Sequence, residues 1–240
     1  MPGPTNRATA RALTAWAALA EVERLSEFQV VVRPQSALGP PGWVGILRLA
    51  GTVTVAVPDA GLVDLVGHAL RGLPAVSMTS EDVTGRLPGV VEVKGPAALF
   101  FAVESPVPAR HFEVVQASVD ELDGLLASVP VDELDESGIS EVTSSVSVIR
   151  DSHGAVVAAC GYRHWPHGIA HMCVLTQPEH RGRGAARAVG ATAVSRALDE
   201  GLLPQWRARP GASKAVARAL GLLELGEQLS VRVEDREAAG

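Results

Sequence analysis

The stretch from Ile169 to Asp199 constrains the fold most. Ile169–Thr176 (IAHMCVLT) is an apolar run of strand length, and it enters the turn QPEHRGRGAARA at Gln177–Ala188. An alanine-rich segment follows, with Ala186, Val189, Ala193 and Ala197 on one helical face and Gly201 placed to end it. A strand running through a glycine-containing turn into a helix belongs to an α/β sheet protein. Such a turn is also an anion site by construction. The first helical N–H groups lack intrahelical acceptors, the helix dipole adds partial positive charge, and glycine lets the backbone approach a ligand closely. Arg181, Arg183 and Arg187 lie in this turn, with Arg196 further along the helix, in a chain of formal net charge −6.

Two familiar phosphate-binding turns fail on spacing. A Walker A loop needs Gly-Lys-Ser/Thr, and the chain has no such triplet. The dinucleotide fingerprint needs a third glycine where Arg187 stands. The net acidity argues against a nucleic-acid partner, because neutralising phosphates takes a basic face. With 240 residues, 47% hydrophobic and 20% charged, the chain suits one large or two small domains with real cores. Cys160 and Cys173 make no disulfide framework and suit a reducing compartment, so a cytoplasmic location is expected. Arg7 and Arg11 ahead of ALTAWAALA resemble a signal peptide in outline. Leu13, Trp16, Ala17 and Ala20 at helical spacing, with EVER following at once, read better as an amphipathic helix. No apolar run approaches the ~20 residues that span a bilayer.

The first half alternates strand-like and helix-like segments. FQVVVRP and WVGILRLAGTVTVAVPD read as strands, GLVDLVGHALRGL as a helix ending near Gly72, and VVEVKGPAALFFAVES as a strand or strand pair. PVPARH, from about Pro106, reads as a linker. HFEVVQA is a short strand, and SVDELDGLLASV is a helix with Ser118 as N-cap and Glu121 completing a capping box. The acidic PVDELDESG is a second short helix or loop, a solvated face able to attract a cationic acceptor. SSVSVIRD and AVVAACGYRHW form a hairpin, and WPHG turns the chain into IAHMCVLTQ. Beyond the long helix, LLPQWRAR is a strand that Pro204 demotes to an edge or splayed position. Ser213 caps SKAVARALG, Gly221 ends it, and EQLSVRVE closes the chain.

Arg181, Gly184 and Ala186 spell R-x-x-G-x-A, preceded by a strand and P-E-H. With the hairpin before it, Trp206 after it and SKAVARALGLLELG beyond, the stretch from Phe112 to Val233 resembles the GNAT superfamily of acyl-CoA-dependent N-acetyltransferases. The resemblance implies a mixed, mainly antiparallel, twisted α/β sheet flanked by helices, with a smaller N-terminal α/β domain. It implies an acetyl-CoA-binding catalytic domain at 107–240 and an acceptor-side cover at 1–106. The implied activity is transfer of acetyl from acetyl-CoA to an amine, most simply a small molecule, by a monomer or homodimer and without a metal. The N–H groups of Gly182, Arg183, Gly184, Ala185, Ala186 and Arg187 would hold the pyrophosphate, flanked by the side chains of Arg181 and Arg183. Val174, Leu175 and Thr176 would meet the acetyl group and pantetheine arm across a β-bulge, and Ser213 would complete the cofactor contacts.

This chain departs from the family at Pro210, where asparagine is frequent, and at Ala217, where a tyrosine usually protonates the leaving thiolate. A non-catalytic acyl-CoA-binding domain and a peptide N-acetyltransferase are the alternatives. An amine of pKa about 10.4 is ammonium at neutral pH and must lose a proton before attack. If WPHG is a two-residue loop, Tyr162, the sole tyrosine, stands opposite His171, which makes this pair the candidate acid and base. His164, His167 and His171 have spacing that raises zinc, but diverging directions and no carboxylate argue against it. Cys173 reads as a small core hydrophobe rather than an acyl-carrying nucleophile.

Overall fold

The computed structural model describes residues 3–72, 78–109, 111–209 and 211–234. In chain order the first half forms α1 (Pro4–Leu19), β1 (Gln29–Val32), β2 (Val44–Leu49), β3 (Thr52–Val57), α2 (Val63–Leu70), α3 (Ser80–Thr84) and β4 (Val90–Phe101). Then come β5 (Val115–Ala117), α4 (Asp123–Leu126), α5 (Val131–Ser137), β6 (Val146–Arg150), β7 (Val156–Trp165) and β8 (Ile169–Thr176). The chain continues through α6 (Ala185–Asp199), β9 (Leu203–Ala208), α7 (Gly211–Ala219) and β10 (Leu223–Val233). Among these residues no helix is long and apolar enough to cross a membrane.

Two compact units result, Met1–Ala8 with Phe100–Leu223 and Thr9–Leu99 with Glu224–Gly240. The expected division at 106/107 differs from this, because the closing strand groups with the N-terminal half. In that unit the strand order is β1-β3-β2-β10-β4, and β10 runs antiparallel to β2 from Gly226 opposite Leu49 to Val231 opposite Val44. Val-rich strands and α2 enclose a core of Ile46, Val55, Val66, Leu70 and Leu229.

The other unit carries the strand–turn–helix segment. Its strands run β9-β8-β7-β6-β5, with β8 and β9 parallel and β5 to β8 antiparallel, the mixed sheet expected from the sequence. On one face Ala159, Cys173 and Leu175 pack with Leu122, Leu125 and Ile139. On the other face lies α6. Its buried side is built of alanine, valine and glycine, so helix and sheet approach closely. The expected helix face is present, with Val189, Ala193 and Ala197 buried, Ala186 half-buried and Gly201 following at positive φ. At Gly190 a Cβ would lie 3.1 Å from Leu220 Cδ1 and 3.3 Å from the Trp206 ring. Gly190→Val therefore overpacks this contact, and we expect about 1–3 kcal/mol of lost stability, read as a lower urea midpoint.

The Ser118–Glu121 capping box forms as expected, the Ser118 N–H donating to Glu121 at 2.9 Å. Pro204 sits in a paired strand rather than at an edge, for its carbonyl accepts from the Ala102 N–H at 3.1 Å. Pro210 lies outside the described residues.

Candidate functional site

The turn after β8 is open and glycine-led. Gly182 and Gly184 have φ of 72° and 89°, left-handed values that other residues rarely adopt. Gly184 is the N-cap of α6 and brings no side chain to it. The first intrahelical bond in this turn runs from the Ala188 N–H to the Gly184 carbonyl, at 3.0 Å. The N–H groups of Ala185, Ala186 and Arg187 are thus left without helical acceptors. The first turn holds no acidic residue, and Arg187 sits in it against the helix dipole. Arg183 and Arg187 are exposed, and neither forms an ion pair among the described residues. Uncapped donors beside unpaired arginines make a site for an anion.

Arg181 plays another part than the resemblance implied, and Arg196 lies away from the turn. Arg181 donates from Nε to the Thr176 carbonyl at 3.0 Å and pairs with Glu133 on α5, so its side chain braces the turn rather than flanking a phosphate. Arg196 reaches Ser145 and Ser147 on the β6 side, far along the helix from the turn. The acidic run at α5 does not simply face solvent either, since Glu136 pairs with Arg209.

Beside the turn, β8 and β9 part. Their parallel register runs from Ile169 opposite Leu203 to His171 opposite Gln205, after which both strands continue without pairing to each other. No β-bulge opens this gap, because the β7–β8 register is continuous from Ala158↔Thr176 to Trp165↔Ile169. The Gln177 N–H donates to the Val157 carbonyl at 2.9 Å. Alternation then turns the N–H groups of His171, Cys173 and Leu175 toward β7 and those of Met172, Val174 and Thr176 toward β9, where Val174 and Thr176 lie beyond the last paired residues and face the gap. The N–H groups of Val174 and Thr176 therefore face the gap, and the buried Thr176 Oγ1 has no hydrogen-bond partner among the described residues. Leu175 does not face it, since its N–H is spent on β7 and its side chain lies in the core. Ser213 is also reassigned. It sits within α7, and its hydroxyl accepts from Trp206 Nε1 at 2.9 Å. Ala217 is fully buried.

The expected pairing of Tyr162 with His171 is wrong by one residue. Pro166–Gly168 forms a three-residue loop, with His167 and Gly168 both at positive φ, so Tyr162 faces Met172 and Arg163 faces His171. A slip of one residue moves side chains to opposite faces. Tyr162 is buried against the end of α6, where burial and then the Glu200 carboxylate push its phenol pKa up. His164 shares that face, 3.8 Å from Glu200, so it and His171 have no common centre for a metal. His171 stacks on Trp165 with ring centroids 4.3 Å apart, and its buried Nδ1 has no partner among the described residues. Burial, then Arg207 and Arg163, lower its pKa to about 3. Cys173 is buried, and burial pushes its thiol up to about 12, as suits a core residue.

Arg207 falls in none of the motifs described above. A signal was present in QWRAR, where Gln205, Arg207 and Arg209 alternate with Trp206 and Ala208 and mark one face of β9 as polar.

Residues 146–227 match the family model for GNAT acetyltransferases. A GNAT-family acetyltransferase from Colwellia psychrerythraea shares the fold, with a TM-score of 0.50 and 13% identity over 74% of this chain and 75% of that one. A GNAT-family protein from Novosphingobium aromaticivorans aligns at 0.47, with 23% identity over 60% of this chain and 66% of that one. A GCN5-related N-acetyltransferase from Kribbella flavida aligns at 0.46, with 20% identity over 62% of each chain. The chain spans just under two thirds of the length of these last two. A comparison with curated proteins finds no match.

Proposed function

We propose that this chain, whose residues 146–227 match the GNAT acetyltransferase family model, moves an acetyl group from acetyl-CoA to the amine of a small molecule by direct attack. The family match supports acyl transfer. The observation that carries the finer reading is the pair of features at the two ends of one gap: the uncapped, arginine-flanked start of α6 and the Val174 and Thr176 N–H groups. The donor set fits acetyl-CoA. The amides of Gly182–Arg187 with the side chains of Arg183 and Arg187 would hold the pyrophosphate, and the unpartnered Thr176 hydroxyl with its N–H would meet the pantetheine amides.

Bound acetyl-CoA supplies an activated thioester. The amine nitrogen forms the new C–N bond, the C–S bond breaks, and the sulfur leaves with the electron pair. The Val174 N–H donates to the carbonyl oxygen as charge develops on it, a type of contact whose loss typically costs about 10²–10³ in rate. Neutral imidazole at His171 orients the amine, while the released proton passes to water, since a group of pKa about 3 does not hold it at neutral pH. Tyr162, on the opposite face, has no part in this scheme. A thiol is far more acidic than an alcohol or an amine, so it leaves as thiolate and a buried alanine at 217 is no bar.

The test is thiol release from acetyl-CoA across a panel of amines, with mass spectrometry of the acceptor. We expect amine-dependent release with an amide product. Tight acetyl-CoA binding without release above hydrolysis for any amine would instead make the chain a non-catalytic acyl-CoA sensor.

A further inference from the structure

We propose that the acceptor carries an oxyanion, a carboxylate or a phosphonate-type group, and that Arg207 binds it. This rests on the acetyl-transfer reading and narrows its substrate class. The register pairing His171 with Gln205 puts Gln205, Arg207 and His171 on one face of the sheet, while Trp206 turns the other way to Ser213. Arg207 is partly buried, and burial lowers its pKa. No carboxylate pairs with it among the described residues, whereas its neighbours are neutralised, Arg163 by Glu141 and Arg209 by Glu136. Withdrawing a cation from water without a counter-ion is unfavourable, and a protein keeps such a group where a ligand completes it.

The position fits that use. Arg207 comes two residues after Gln205, the last β9 residue paired with β8, and so lies where the gap has opened, level with Cys173 and next to Val174. An oxyanion held there leaves an amine a few bonds away at the gap, near His171, the last β8 residue paired with β9. The guanidinium fork matches carboxylate and phosphonate oxygens in bidentate fashion, which a neutral amine cannot use. The predicted class is therefore amino acids or aminophosphonates rather than simple alkylamines.

Calorimetry on the CoA-loaded protein tests this with three product-like probes: N-acetylglycine, N-acetylaminomethylphosphonate and the neutral N-methylacetamide. We expect at least one anionic probe to bind tenfold or more tightly than the neutral one, and the tighter anion names the class. Arg207→Met should erase the difference, and Arg207→Lys should retain part of it. Arg207→Gln replaces the methionine variant if melting shows that the latter does not fold. A wild-type protein without anion preference, or a preference that survives neutralisation of Arg207, overturns the proposal. CoA affinity measured in the same titrations separates the two readings. Absent CoA binding defeats the acetyl-transfer reading itself, while intact CoA binding without anion preference defeats only the assignment of Arg207.

Discussion

A Gly184→Glu variant is expected to bind acetyl-CoA at least tenfold more weakly than the parent protein while remaining folded. Gly184 sits at φ 89° at the mouth of α6, where the amides of Ala185, Ala186 and Arg187 have no helical acceptor. A glutamate there puts a carboxylate among those donors and repels the phosphates they would hold. Each charge-assisted hydrogen bond lost costs about 1.5–3 kcal/mol, so one or two suffice for the tenfold effect. The fold tolerates the substitution because, among the described residues, a Cβ at Gly184 meets only Phe112 Cε2 at 3.7 Å and His111 Nε2 at 3.9 Å, ordinary contacts. Left-handed backbone adds about 1–2 kcal/mol of strain for any side chain. Gly184→Ala carries that strain without the charge and is the control, with near-parental affinity expected once folded. Unchanged CoA affinity in a folded Gly184→Glu protein would remove the turn from the cofactor site.

The turn was legible because its signals are local. Strand, glycines, arginines and alanine-rich helix are contiguous, and the donors of a helix start need no distant residue to be left free. The gap was legible only in part. Val174 and Thr176 follow from strand alternation, but the expected bulge is a divergence of β8 from β9, which depends on two segments about thirty residues apart. The hairpin register failed for a local reason. WPHG suits a two- or a three-residue loop equally, and His167 at φ 62° settles the longer one, sending Tyr162 and His171 to opposite faces. Arg181 with Glu133, Ser213 with Trp206 and β10 with β2 are partnerships that spacing does not encode. The last of these moved the unit boundary, since a closing strand joins whichever sheet offers it a hydrogen-bonding edge.

Acidification should cost the folded protein stability through His171, in a window that its environment defines. Its ring is stacked on Trp165 and its Nδ1 has no partner among the described residues; burial first, and then Arg207 and Arg163, disfavour a charge there, so its pKa falls to about 3 from the usual 6.5. Above pH 6.5 the imidazole is neutral in both folded and unfolded chains and contributes no pH dependence. Between about 6.5 and 3 the unfolded chain binds a proton that the folded chain refuses, so stability falls as pH falls, by up to about 1.4 kcal/mol per unit. Replacing His171 by glutamine removes this term and leaves the contributions of the carboxylates in place. Urea midpoints at pH 6, 5 and 4 should therefore decline more steeply for the parent protein than for His171→Gln. The comparison bears on chemistry as well as stability. Parallel declines would mean that the folded protein accepts a proton on His171 in the ordinary range, which would restore that residue as the general base and make the water route unnecessary. A steeper parental decline leaves His171 as an acceptor of hydrogen bonds only, and the amine must then give its proton to solvent before it attacks.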